Sequence, residues 1–233
     1  MRIYEYELVP HIVRYFRDRG FIVFTEKYVG LRRADVIGVL LNEEEVKKRI
    51  EYNTPHIPIR IFLRIMRILD RHGGMSIREL ASTLGYSTSY IRKIIAAASP
   101  IFVVRQKGLV IKVRDYKPYT REIIGVEVKV NDWRNGLIQA DWYRYALHKA
   151  YLAIYERTYK RIPKKVIEWA RNRGIGILTI SKNGVVEEKI PAKISGPESK
   201  SAYYVLAESL WDKVFETIKT NKCFFDKIVL LGD

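Results

Sequence analysis

Apolar side chains at Leu8, Val9, Ile12, Val13 and Phe16 recur three and four apart and stop at Gly20, which predicts an amphipathic first helix over about 6–19, with Pro10 in its first turn. Phe21 to Tyr28 and Arg32 to Leu41 then read as two strands turned at Gly30, the second apolar from Ala34 to Leu41 apart from Asp35. Residues 123–130, Ile-Ile-Gly-Val-Glu-Val-Lys-Val, predict a third long strand. Side chains two apart in a strand share a face, so Glu127 and Lys129 lie together while Val126, Val128 and Val130 turn to a core. A helix capped by Asp132 and running to about His148 follows, then a strand from Ala150 to Tyr155. A helix over 163–173, entered at Pro163, hands over at Gly174 to a strand from Ile175 to Ile180, and an amphipathic helix around Ala202 to Lys219 closes the pattern. Strands alternating with helices over 122–181 predict an α/β sandwich.

The interval between Asp35 and Glu127 is far longer than the few residues that join neighbouring strands, so a small domain must be inserted there. Residues 58–72 carry one helical pattern, Ser76 and Glu79 form a capping box for a second helix ended by Gly85, and Ser87 caps a third through about Ala98. Phe102 to Val104 and Leu109 to Val113, joined around Lys107-Gly108, predict a two-stranded hairpin. Three helices and a hairpin over 57–113 resemble the winged helix-turn-helix domains of DNA-binding proteins. The resemblance implies that Thr88, Ser89, Arg92 and Lys93 on the third helix enter a groove, and that Arg105 and Lys107 touch phosphates. A module for protein contact or a rigid spacer is the alternative. The organisation expected is a discontinuous core, 1–56 with 114–233, carrying the 57–113 insert.

A chain of 233 residues with 48% hydrophobic positions can bury a proper core. Forty-two Lys and Arg against 26 Asp and Glu leave a net charge of +16, which predicts attraction to polyanions, nucleic acid foremost. Cys223 stands alone and the four histidines have no ligand spacing, which argues against disulfides, thiolate clusters and a zinc enzyme. Without a leader-like apolar stretch, or a run near the roughly 18 residues a membrane span needs, the expected location is the cytoplasm, away from membranes.

Glu127 and Lys129 carry the chemistry. Metal-dependent phosphodiester cleavage needs a carboxylate to bind Mg²⁺ and an ammonium to steady charge on water or phosphate. The acidic-x-Lys spacing is not specific, since it recurs at Glu45/Lys47, Asp115/Lys117, Glu187/Lys189 and Glu198/Lys200. Only Glu187/Lys189 lies on a comparable strand, and Lys182-Asn183-Gly184 before it marks the solvated face of a surface hairpin. The plain alternatives are a turn-facing Asp35 paired with Arg32 or Arg33, and a solvated Glu127–Lys129 ion pair.

A first helix with glutamates, Asp35 on a second strand, Glu127-Val128-Lys129 on a third and Gln139 on the next helix together resemble the PD-(D/E)XK nuclease superfamily. The stretch from Val126 to Ala140 is similar to its archaeal resolvase and restriction-endonuclease-like branch. The likeness spans about 1–42 and 120–181, and Ala34 stands where the namesake Pro would be. It implies a restriction-endonuclease-like central mixed sheet flanked by helices and a DNA endonuclease dependent on Mg²⁺, with Mn²⁺ able to substitute. Asp35, Glu127 and the Val128 carbonyl would bind metal. Lys129 would orient or help deprotonate water, Gln139 would position water or phosphate, and Glu5 or Glu7 would complete the site, with helical angles favouring Glu5. By analogy alone a homodimer is one arrangement the resemblance allows, and the sequence does not fix the oligomeric state. A non-catalytic DNA-binding regulator on the same scaffold and an RNA-processing nuclease are the competing readings.

Overall fold

The computed structural model describes residues 3–194 and 196–221; Cys223 lies outside the described residues. In chain order the elements are α1 (Glu5–Arg17), β1 (Ile22–Val29), β2 (Arg32–Leu41), α2 (Glu43–Glu51), α3 (Ile59–His72), β3 (Met75–Ser76), α4 (Ile77–Leu84), α5 (Thr88–Ala98), β4 (Val103–Gln106), β5 (Leu109–Lys112), β6 (Thr120–Lys129), α6 (Trp133–Tyr143), β7 (Lys149–Tyr155), α7 (Glu156–Tyr159), α8 (Lys164–Arg173), β8 (Gly176–Ile180), β9 (Val186–Ile190) and α9 (Lys200–Thr220). They form two compact units, one from the chain up to Leu41 with Thr120–Leu206, the other from Asn42–Tyr119 with the chain from Ala207 onward. These divisions fall at different positions from those drawn on the sequence at 56/57 and 113/114.

The first unit is α/β, a mixed six-stranded sheet in the order β1-β2-β6-β7-β8-β9 flanked by helices. β1 pairs antiparallel with β2 and β2 with β6, then β6, β7 and β8 run parallel, and β9 returns antiparallel on the edge. The parallel strands are near-continuous apolar runs because both faces are covered. On one face Leu8, Ile12 and Phe16 of α1 join Val36, Val126, Val128 and Tyr151 in the core. α6 covers β6 and β7 on the side to which Gly125, Glu127 and Leu152 turn.

Two helix limits differ from the sequence pattern. α1 begins at Glu5, since Glu7 accepts the Tyr4 backbone N–H at 2.7 Å, so Pro10 lies beyond the first turn and gives no N–H to the Tyr6 carbonyl. α6 ends at Tyr143 instead of running to His148. Ala146 and Leu147 keep an apolar pattern, but the backbone opens so that His148 N–H reaches the Ile123 carbonyl at 2.9 Å and His148 Nδ1 accepts the Ile123 N–H at 3.0 Å. Burial lowers the His148 pKa, which suits the neutral, accepting ring.

In the second unit α3, α4 and α5 accompany a three-stranded sheet of order β3-β5-β4. Ser76 and Glu79 exchange backbone bonds at 3.2 and 2.8 Å, Gly85 ends α4 at a φ of +73°, and Ser87 accepts the Tyr90 N–H at 3.2 Å. Lys107 and Gly108 both have positive φ, which makes the β4–β5 connection a two-residue hairpin. β3 adds a third strand to the expected hairpin; two residues are too few to show periodicity.

Glu208, 3% exposed, fastens this unit. Its carboxylate accepts from Arg49 Nη1 at 3.2 Å, from Arg49 Nη2, from the Tyr116 hydroxyl and from the Ile57 backbone N–H at 2.7 Å. The Arg49 guanidinium also lies over the Tyr119 and Trp211 rings, at 5.1 and 4.9 Å. Removing one member of such a pair strands a buried charge. Glu208→Ala should therefore cost about 3–5 kcal/mol of unfolding free energy in urea, and Arg49→Met with Glu208→Leu should recover most of it.

Candidate functional site

β2 and β6 pair with Val36 opposite Val126, so one residue further along Asp35 and Glu127 come side by side. The Asp35 carboxylate accepts the Val128 backbone N–H at Oδ2, 2.7 Å away. It is not paired with Arg32 or Arg33. Arg33 binds Glu26 at 2.7 Å and Arg32 lies over the Trp142 ring at 5.4 Å.

Glu127 is only 2% exposed, which rules out the solvated pair. Its Oε1 is 2.6 Å from Lys129 Nζ, and its Oε2 accepts from the Tyr143 hydroxyl, which also lies 3.1 Å from the Arg33 carbonyl oxygen. Two glycines let α6 approach this closely. A Cβ on Gly125 would stand 3.2 Å from the Tyr143 ring and 2.4 Å from Leu147, and one on Gly136 would meet Leu152 at 2.6 Å and Lys129 Cγ at 3.0 Å.

Of the two first-helix glutamates, Glu5 reaches the cluster, its Oε2 3.6 Å from Lys129 Nζ, whereas Glu7 caps its own helix. Glu5 and Asp35 share an open groove of about 610 Å³ with Tyr4, Tyr6 and Glu26. Gln139 is half-buried on α6, one turn before Tyr143, and makes no side-chain hydrogen bond among the described residues. The structure thus brings Asp35, Glu127, Lys129 and Glu5 together and leaves Gln139 unattached.

The bond of Tyr143 and the placement of Glu26 do not show in the sequence pattern. Glu26 sits opposite Asp35, between the Thr25–Val36 and Lys27–Ala34 rungs, with a φ of +55°, a conformation non-glycine residues rarely hold. Its charge adds to the field on Asp35. An isolated Glu in a strand pattern carries no such signal.

Burial, then the neighbouring Glu127 charge, push the Asp35 pKa up to about 6, only partly offset by the Val128 N–H and Lys129. Burial pulls the Lys129 pKa down, but its bond to Glu127 and the charges of Glu127, Glu5 and Asp35 more than reverse this and keep it a cation. Burial and the bond to Glu127 raise Tyr143 far above an ordinary phenol, so it stays a donor.

The residues proposed to meet DNA lie in the second unit. Thr88, Ser89, Arg92 and Lys93 are exposed on α5, and Arg105 and Lys107 are exposed on the β4–β5 hairpin. Tyr86 and Tyr90 stand beside them, ring centroids 5.4 Å apart. Glu187 and Lys189 occupy the edge strand β9 as an exposed ion pair, as their hairpin setting predicts. No helix among the described residues is long and apolar enough to cross a membrane. No family model, curated protein or solved structure matches the chain.

Asp35 binds its proton more tightly folded than unfolded, so its contribution to stability is present below about pH 4 and is lost as pH rises through about 6. Asp35→Asn should leave thermal stability near pH 4 almost unchanged and raise the melting temperature at pH 8, measured by circular dichroism.

Proposed function

We propose that this protein is a Mg²⁺-dependent DNA endonuclease of the PD-(D/E)XK type, with a winged helix-turn-helix unit that grips duplex or branched DNA. The observation that carries the reading is the pairing of β2 with β6, which sets Asp35, on a groove it shares with Glu5, beside Glu127 and its partner Lys129. The order helix, strand, helix, helix, hairpin over α3 to β5, with exposed Arg92, Lys93, Arg105 and Lys107, supports the DNA-binding half.

The donor set fits a hard divalent cation. No group of three or more His, Cys, Asp or Glu side chains suited to a metal occurs among the described residues, but Mg²⁺ keeps several waters and takes one or two carboxylates. Asp35 and Glu127, with the Val128 carbonyl, would hold it, and Mn²⁺ would serve in its place. When bound, the ion supplies polarisation of the phosphate and of its attached water. Oδ2 of Asp35 is fixed by Val128, and among the described residues Oδ1 has no hydrogen-bond partner. Lys129, protonated and held by Glu127, offsets charge on the phosphate and orients the water; its raised pKa makes it a poor base. Gln139 would meet the water or phosphate from α6. Water oxygen bonds to phosphorus as the bond to the 3′ oxygen breaks, leaving a 5′-phosphate and a 3′-hydroxyl.

Both Glu127 oxygens already have partners, which favours a second reading, a DNA-binding regulator on the same scaffold that cuts nothing. Incubating supercoiled, linear, branched and single-stranded DNA with Mg²⁺ or Mn²⁺ separates the two. Wild type should cleave at least one substrate, and Glu127→Ala and Lys129→Ala should each slow cleavage about 100-fold or more. Metal-independent binding without cleavage supports the regulator, and equal cleavage by all three proteins removes the assigned site.

A further inference from the structure

α3 turns Ile59, Phe62, Ile65, Met66 and Leu69 into the core of the second unit. Its opposite face carries Arg60, Arg64, Arg67 and Arg71, all exposed. Steps of four, three and four residues return each side chain to nearly the same angle, so the guanidinium groups form a straight row. At about 1.5 Å of rise per residue the row extends roughly 16 Å. Three of the four line a polar groove with Thr83 and Leu84 at the end of α4.

Among the described residues none of the four arginines has a carboxylate partner, and the one acidic side chain on α3, Asp70, is bound by Lys112. Like charges at these spacings weaken a helix, so the row carries a cost to the fold. Such a row is suited to an anion outside the chain.

We propose that the row on α3 is a phosphate-backbone contact surface for duplex DNA, additional to the α5 and hairpin residues. The inference rests on the DNA-binding reading and extends it to a longer footprint. Duplex DNA presents phosphates at regular, close intervals along its axis, which suits a rigid row of cations spaced by helical turns. Guanidinium forks match phosphate oxygens in pairs, so four arginines with no lysine among them fit this ligand better than diffuse attraction would. A membrane surface fits less well, because an interfacial helix must offer its apolar face to lipid and α3 spends that face on the core.

The test is binding of a labelled duplex by the full chain in EDTA, followed by fluorescence anisotropy across a salt series. Arg60→Gln, Arg64→Gln, Arg67→Gln and Arg71→Gln combined should make the slope of log K against log salt shallower by roughly 0.9 per lost contact, about 3–4 in all. Circular dichroism checks the fold of the combined variant, and Arg64→Gln and Arg67→Gln alone, each expected to remove about 0.9 from the slope, serve if it does not fold. Arg92→Gln with Lys93→Gln should lose its own share, and its loss should add to that of the row. An unchanged slope with wild-type affinity intact overturns the row and leaves the DNA reading standing. A wild type that binds no duplex overturns both, and a row variant that loses anionic vesicles while keeping DNA assigns the surface to lipid.

Discussion

The first unit depends on one antiparallel pairing, β2 against β6. It places an early strand beside one much later in the chain, buries Val36 and Val126 against α1, and sets Asp35 at the level of Glu127. A slip of one residue would turn Asp35 to the α1 core and Val36 to the carboxylates, so hydrophobic burial fixes the register and the register fixes the chemistry. The Asp35 bond to Val128 N–H adds a side-chain rung where the ladder ends.

The polar cluster works against the fold that holds it. Asp35 and Glu127 repel, Glu26 adds charge from a left-handed backbone, and Lys129 is the ammonium that answers Glu127 and Glu5. Local strain and like charge gathered at one groove, with regular packing around it, is the pattern expected where a protein gives up stability for a task. Tyr143 limits the cost by giving buried Glu127 a neutral donor on the side away from Lys129.

Much of this was legible in the residues. Apolar alternation located β6, the lone carboxylate in an apolar run marked Asp35, and capping chemistry at Ser76, Glu79, Gly85 and Ser87 located the helices of the second unit. What escaped depends on contacts distant in sequence. The end of α6 is set by Ile123, which takes His148 as a partner although the apolar period runs on through Ala146 and Leu147. The role of Tyr143 needs the glycine at 125 to admit its ring; Glu5, by contrast, was already favoured over Glu7 by helical angles, and it is the one that reaches Lys129. The arginine row on α3 emerges only with the structure, where the burial of the opposite face leaves it exposed.

The chain passes from one compact unit to the other at Leu41, at Tyr119 and again at Leu206, inside α9, so neither unit is a single stretch of sequence. During synthesis β1 and β2 emerge as a hairpin with an unpaired edge and wait until β6 leaves the ribosome, while Arg49 waits longer still for Glu208. Each half-made unit leaves strand edges or a cation without its native partner until the later segment is in place.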